Sequence, residues 1–318
     1  MTPKVLIATR SFGSTSPEPG EILHKGGCDL VNADMSLEMT EERLIDLLKG
    51  VAAAIVGVVP MTAYVLENAP DLKVVSAHGV GVDHIDLDAA ARLGITIANC
   101  PGANAASVSD LTIGLMIAIA RNIPGVERKL RQGGWGRHQG SELFQKTLGI
   151  IGLGHIGSGV AKRAMGFDMK VLVDDPYVHS VPKELPEIQL VSFENIIRLA
   201  DFVSLHAPLN DDTRNIIGPA ELAAMKPGAY LINTARGGLV DEQALFNALN
   251  TGKIAGAAFD CFVDEPPTGS PLLGLDNFVG TPHIGAHTQE SIERVGVVAA
   301  QNVINSLKGQ EPLYRVQK

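Results

Sequence analysis

The stretch KTLGIIGLGHIGSGVAKRAMGFDMKVLVDDP, residues 146–176, decides the fold of this chain. It reads as an apolar strand, a glycine turn GLGHIG at Gly152, Gly154 and Gly157, a helix with apolar residues at helical spacing, and a second strand ending in acids. The first glycine permits a tight strand-to-helix turn, the second lets a pyrophosphate approach the backbone, and the third lets helix and strand pack closely. Asp175, eighteen positions after Gly157, stands where a carboxylate accepts a hydrogen bond from a ribose 2′-hydroxyl. Strand, glycines, helix and acid together predict a dinucleotide-binding Rossmann unit.

The motif sits near the middle of 318 residues. Such a unit needs little chain ahead of its first strand, so the upstream residues are expected to form a second domain. They show the same alternation. KVLIATR, DLVNA, AAAIVGVV, LKVVSAHG and GITIANC read as strands, with helical EERLIDLLKG, TAYVLENA and DLDAAARLG between them. Downstream, GIIGLG, KVLV, FVSLHAP, AYLINTA, IAGAAFD and FVGTP supply six strands. Alternating strands and helices predict parallel sheets covered on both faces.

Composition excludes several functions. A net charge of −9 without basic runs argues against a nucleic-acid surface. The longest apolar stretch, LTIGLMIAIA at residues 111–120, is about half of what a bilayer span requires, so no membrane association is expected. Three cysteines, Cys28, Cys100 and Cys261, lack metal or redox spacing and read as buried thiols of a reducing compartment. With no secretory leader pattern at the start, a cytoplasmic location and no bound metal are expected.

Ligands of open α/β sheets bind at the carboxyl ends of strands. Three such ends carry chemistry: Arg236 in INTARGG, Glu265 in AAFDCFVDEPP and His283 in VGTPHIGAHT. An arginine fork can grip a carboxylate, and a histidine beside an acid can move a proton near neutral pH. Those types suit a 2-keto acid undergoing reduction. HGVGVDHIDL, residues 78–87, is a further glycine-containing loop that follows a strand.

These blocks, with PGANAASVSD at residues 101–110, VDDPY, LHAPLNDDT, INTARGGLVDE, AFDCFVDEPP and TPHIGAH, resemble the D-isomer-specific 2-hydroxyacid dehydrogenases, in the phosphoglycerate dehydrogenase-like branch. The resemblance covers essentially the whole chain. It implies an α/β protein of two doubly wound parallel-sheet domains, a flavodoxin-like substrate domain and an inserted Rossmann NAD-binding domain. The substrate domain is expected at residues 1–100 and 288–318, the NAD domain at 101–287. Arg236 is expected to orient the substrate, Glu265 to partner His283, and His283 to carry the proton. NAD contacts are expected at Gly152, Gly154, His155, Ile156, Gly157, Asp175, Pro208, Thr213, Thr234 and Asp260. Substrate contacts are expected at His78, Gly79, Val80, Gly81 and Asn104. Asp175, with no arginine after it in VDDPYVHS, favours NAD over NADP.

The implied reaction interconverts a D-2-hydroxy acid and its 2-keto acid, with two domains closing over a small-molecule substrate. Phosphoglycerate dehydrogenases place a phosphate-binding arginine in the stretch occupied here by Gly57, Val58 and Val59, and no arginine or lysine lies between Lys49 and Lys73. Hydroxypyruvate or glyoxylate reduction therefore competes with oxidation of 3-phosphoglycerate. The short stretch after the last helical pattern leaves regulatory domains and serine feedback unexpected. NADH-sensing corepressors of the C-terminal-binding class share such a scaffold, but their appended tails have no counterpart here. Finally, PGANAASVSDLTIGLMIAIARNIPGVERKLRQGGW reads as one long helix whose broad apolar surface predicts a homodimer interface, with Trp135 packed at an interface or domain junction.

Overall fold

The computed structural model describes residues 2–316; Met1, Gln317 and Lys318, which the sequence reading assigns to the substrate domain, lie outside the described residues. The chain divides into two compact units, residues 1–104 with 286–318, and residues 105–285.

The first unit contains, in chain order, β1 (Lys4–Ala8), α1 (Glu18–Lys25), β2 (Asp29–Asn32), α2 (Glu41–Leu48), β3 (Ala53–Val56), α3 (Ala63–Glu67), β4 (Val74–Ala77), α4 (Leu87–Leu93) and β5 (Thr96–Ala98). The strands form one parallel sheet in the order β2-β1-β3-β4-β5, which is the flavodoxin-like order. Alternation along β1 explains the layering. Leu6 and Ala8 point into a core with Leu44 and Leu48 of α2, Val65 and Leu66 of α3, and Ala89 of α4. Val5 and Ile7 point the other way, towards Leu23 of α1. Side-chain caps set where the helices begin: Thr40, Thr62 and Asp86 accept from Arg43, Val65 and Ala89 N–H.

The second unit runs α5 (Ala105–Ala120), α6 (Ile123–Arg131), β6 (Thr147–Ile151), α7 (His155–Met165), β7 (Lys170–Asp174), β8 (Gln189–Leu190), α8 (Phe193–Leu199), β9 (Phe202–Leu205), α9 (Pro219–Ala224), β10 (Tyr230–Asn233), α10 (Glu242–Asn250), β11 (Gly256–Phe259) and β12 (Phe278–Gly280). Its seven strands lie in the order β12-β11-β10-β9-β6-β7-β8, all parallel. The order reverses between β9 and β6, making that edge the place where a ligand crevice opens. Strands β9, β10 and β11 are buried throughout, as a sheet covered by helices on both faces requires. After the inserted unit, α11 (Gln289–Leu307) returns to the first one, where Val295, Ala299, Val303 and Ile304 join the Val5 and Ile7 face.

Two sequence expectations need correction. The single long helix is two, α5 and α6, because Asn122 between them takes a left-handed conformation at φ 48°. The apolar excess of α5 is consumed within its own unit, where Ile113, Leu115, Met116 and Ile119 are buried against the sheet. Trp135, expected at an interface or domain junction, is 84% exposed. Two elements also escaped the pattern. Strand β8 is only two residues long, and α1 opens on Glu-Pro-Gly, a composition that reads as a loop. Among the described residues no single helix is long and apolar enough to cross a membrane.

Candidate active site

The glycine turn is built as the sequence requires. Gly152 sits at φ 94°, and a Cβ there would lie 2.8 Å from the His206 carbonyl at the neighbouring end of β9. A Cβ on Gly157 would lie 2.1 Å from the Gly152 oxygen, so helix and turn could not approach as they do. Gly154, at the N-cap of α7, is different: nothing stands within 4 Å of its Cβ position. The turn is closed against the protein and open towards the crevice, leaving the first N–H groups of α7, near exposed His155 and half-buried Ile156, to face an anion.

Asp175 follows β7 directly. Its Oδ2 accepts from Leu153 N–H at 2.7 Å and its Oδ1 from Tyr177 N–H at 2.9 Å, which ties the acid to the glycine turn. Neighbouring Asp174 is the last residue of the strand, and its carboxyl is raised by burial and then by the charges of Asp175 and Glu194. After β9, Pro208 is exposed at the crevice edge and its carbonyl accepts from the Thr213 hydroxyl at 2.6 Å. A pyrophosphate at the open turn and a ribose diol at Asp175 fit these groups, so the unit can hold a dinucleotide.

Beyond β10, fully buried Asn233 shapes the turn that carries Arg236. Its Nδ2 donates to the Arg236 carbonyl at 2.7 Å, and its Oδ1 accepts from Ala235 N–H at 3.1 Å. A Cβ on Gly237 would stand 2.0 Å from the Phe262 carbonyl carbon, so the turn lies directly on the segment that leads to Glu265.

Glu265 and His283 meet there. Glu265 Oε2 lies 2.8 Å from His283 Nδ1, and Oε1 accepts from Phe262 N–H at 3.0 Å. Burial alone would raise the Glu265 carboxyl, but hydrogen bonds from His283 and Phe262, with the charges of His283 and Arg236, outweigh it and hold it below the usual glutamate range. His283 is pushed up to about 10, first by a hydrogen bond with Cys261, then by that with Glu265, against the opposing effect of burial. The pair therefore rests as carboxylate and imidazolium at neutral pH.

His283 takes a left-handed backbone conformation at φ 52°, uncommon for a residue with a side chain. Asp260, 1% exposed, enforces it. Its carboxylate accepts from Ile284 N–H and Gly285 N–H, each at 2.8 Å, and from the Thr281 hydroxyl at 2.6 Å, while its carbonyl accepts from His283 N–H at 2.9 Å. Asp260 is thus the clamp of the His283 loop. Thr234 is likewise engaged inside its unit: Thr112 gives its hydroxyl proton to Val108, so at 2.9 Å Thr234 must donate to Thr112. Both side chains keep acceptor capacity, since the Thr234 oxygen and Asp260 Oδ2 each have a lone pair that none of these bonds uses.

The residues expected to touch substrate belong to the first unit. His78, just past β4, receives or gives a hydrogen bond through Nδ1 with the Ser11 hydroxyl at 3.1 Å, while its Nε2 is buried with no partner. Burial lowers His78 to about 4, so it is neutral. The carbonyls of Gly79 and Val80 accept from Cys100 N–H and Asn99 Nδ2, both at 2.8 Å. Among the described residues the N–H groups of Val80 and Gly81 have no acceptor, as a backbone anion site requires. Asn104 Oδ1 is also buried without a partner. His206 is neutral, lowered to about 3 by burial, with Nε2 held 2.9 Å from the Ser204 hydroxyl.

Sequence reasoning did not find Asn233 or Cys261, nor Asp260 as a clamp. The available signal was a polar residue terminating an all-apolar strand, where an unpaired side chain would be costly.

Residues 113–285 match the family model described as D-isomer specific 2-hydroxyacid dehydrogenase, NAD binding domain. A D-3-phosphoglycerate dehydrogenase of Methanocaldococcus jannaschii is 45% identical over 284 residues, covering 87% of this chain and 54% of that protein. The chain thus spans little more than half the length of that relative. A hydroxypyruvate reductase of Thermotoga maritima is 40% identical over 296 residues, covering 90% of this chain and 96% of that one. A crystal structure of a Thermus thermophilus protein superposes with a TM-score of 0.89 at 36% identity, covering 99% of this chain and 100% of the other. With the glycine turn, Asp175 and the Arg236, Glu265 and His283 strand ends in place, this chain belongs to the D-isomer-specific 2-hydroxyacid dehydrogenase family.

Proposed function

We propose that the protein is an NAD-dependent oxidoreductase interconverting a D-2-hydroxy acid and its 2-keto acid, a reading carried by the 2.8 Å Glu265–His283 pair beside Arg236. Residues 105–285 act as the NAD domain and the remainder as the substrate domain. Gly152, Gly154, Gly157, His155 and Ile156 would hold the pyrophosphate, Asp175 a ribose, and Pro208, Thr213, Thr234 and Asp260 the rest of the cofactor. When bound, NAD supplies or accepts the hydride.

The side chains manage charge and protons. Glu265 occupies His283 Nδ1, which leaves Nε2 to give a proton to the carbonyl oxygen in reduction or to take one from the hydroxyl in oxidation. Arg236 grips the carboxylate and polarises the carbonyl, with Val80 and Gly81 N–H as further anion donors. A positioned acid–base group of this kind contributes roughly 100- to 10,000-fold. Lysine-based handling of an amino acid finds no support, because Lys226 pairs with Asp201 at 3.0 Å and Lys253 donates to the Met225 carbonyl at 2.9 Å.

D-3-phosphoglycerate is the first substrate reading, on the 45% identity to an enzyme of that name. Hydroxypyruvate or glyoxylate is the second, favoured by Val58, an apolar side chain 84% exposed in the Gly57–Val59 stretch after β3, where the resemblance to phosphoglycerate dehydrogenases leads one to expect an arginine. Ile123, Leu130, Trp135 and Phe144, all largely exposed within residues 123–144, support assembly as a homodimer. Three buried free cysteines support a cytoplasmic setting. Following NADH oxidation with phosphohydroxypyruvate, hydroxypyruvate, glyoxylate, pyruvate and 2-ketoisocaproate tests the proposal. Turnover with either of the first two is expected, and a protein that binds NADH but reduces none of them is not this enzyme.

A further inference from the structure

Cys261 helps hold the proton on His283 but gives or takes none itself. Its thiol lies at the exit of β11, 2% exposed. One ligand atom from each of Cys261, Glu265 and His283 falls within 4.8 Å of the other two. Thiolate sulfur, imidazole nitrogen and carboxylate oxygen are the donors zinc uses, with bonds of about 2.0–2.3 Å that set neighbouring donors roughly 3.4–3.6 Å apart in a tetrahedron. Side-chain rotations of about 1 Å would close this triad around one ion. The frame is already rigid, since Phe262 N–H holds Glu265 and Asp260 holds the His283 loop.

We propose that Cys261, Glu265 and His283 form a site for one soft divalent cation of the Zn2+ class, and that its occupation switches the enzyme off. The side chains of His283 and Glu265 are 44% and 37% exposed, so the ion has an entry path and a fourth position open to water. Sulfur and imidazole select against Mg2+ and Ca2+, which take oxygen ligands. The ion takes the His283 Nδ1 lone pair that now faces Glu265 and sends the imidazolium and thiol protons to solvent, so Nε2 keeps its hydrogen on a neutral, metal-bound ring and no longer cycles a proton. The binding site follows from the donor set alone; the inhibition rests on the reading of His283 given above.

Co2+ reports both the thiolate and the geometry. Chelator-stripped protein titrated with Co2+ is expected to bind one ion per chain, with a thiolate-to-cobalt charge-transfer band and tetrahedral visible absorption, both abolished by Zn2+. Cys261→Ala should lose the band, and Cys28→Ala and Cys100→Ala should keep it. Zn2+ should abolish turnover reversibly with EDTA. The concentration needed in Cys261→Ala, measured against that variant's own metal-free rate, should rise by more than the roughly 10- to 100-fold that even an outer-shell partner is worth. Absence of the band in the natural protein, or its survival in Cys261→Ala, overturns the site; Cys261→Ser serves if the alanine variant does not fold. A thiolate band with undiminished turnover would leave the site standing and remove His283 from the proton transfer.

Discussion

Replacing Glu265 by glutamine keeps the shape of the side chain and removes its charge. In the native protein His283 holds its proton up to a pKa of about 10 through Cys261 and Glu265. Charge centres of the ion pair stand roughly 4 Å apart, worth about 4 kcal/mol at an effective dielectric of 20. Both side chains are more than a third exposed, at 44% and 37%. Water therefore screens much of that attraction, leaving about 1.4–2.7 kcal/mol, or about one to two pKa units. Keto-acid reduction requires protonated His283, so its rate falls as pH rises through the His283 pKa. In Glu265→Gln that alkaline fall should move down by about one to two units, while hydroxy-acid oxidation, which needs neutral His283, should gain at lower pH. Steady-state rates in both directions across roughly pH 6–11, with structure checked by circular dichroism, provide the assay. An alkaline limb that does not move in the variant would refute the claim that Glu265 sets the protonation of His283.

Other perturbations separate the parts of the site. Gly157→Ala places a methyl 2.1 Å from the Gly152 oxygen and should cost about 2–3 kcal/mol while weakening NADH binding, measured by thermal melts and fluorescence titration. Asp260→Asn turns an amide NH2 towards one of the donors that now reach the carboxylate. It should cost about 2–3 kcal/mol, lower the Tm by roughly 4–12 °C and reduce kcat more than NADH affinity; an unchanged melt would deny Asp260 its clamping role. Asp175→Ala should narrow the preference for NADH over NADPH by about tenfold, the value of one like-charge contact of about 1.4 kcal/mol, as read from the ratio of kcat/KM values.

What the sequence displays depends on how far apart the partners lie. The glycine turn, Asp175 and the three strand ends are local patterns, in which an apolar run stops and a residue of distinct chemistry follows. The five-stranded order of the first sheet comes from the same alternation joined to the family resemblance. What the sequence does not display rests on interactions that are distant or conformational. Thr234 finds its partner in Thr112, and Asp260 finds its partners in residues 281–285, so neither role shows in the neighbouring sequence. The break between α5 and α6 hangs on the left-handed Asn122, which the surrounding apolar pattern conceals. Cys261 gains its meaning only when the chain returns with His283.

The continuous insertion of residues 105–285 also sets an order of events during synthesis. Helix α11 seals the face of the first sheet that carries Val5, Ile7, Ala53 and Ile55. At about 5–20 residues per second, the 181 residues of the insert occupy the ribosome for roughly 9–36 s before that helix is made. Throughout this interval that face is covered only in part, by α1 through Leu23, whereas the later-made insert already holds its own strands and helices. The sheet made before the insert is therefore completed after it, and it is the segment with most reason to engage a chaperone.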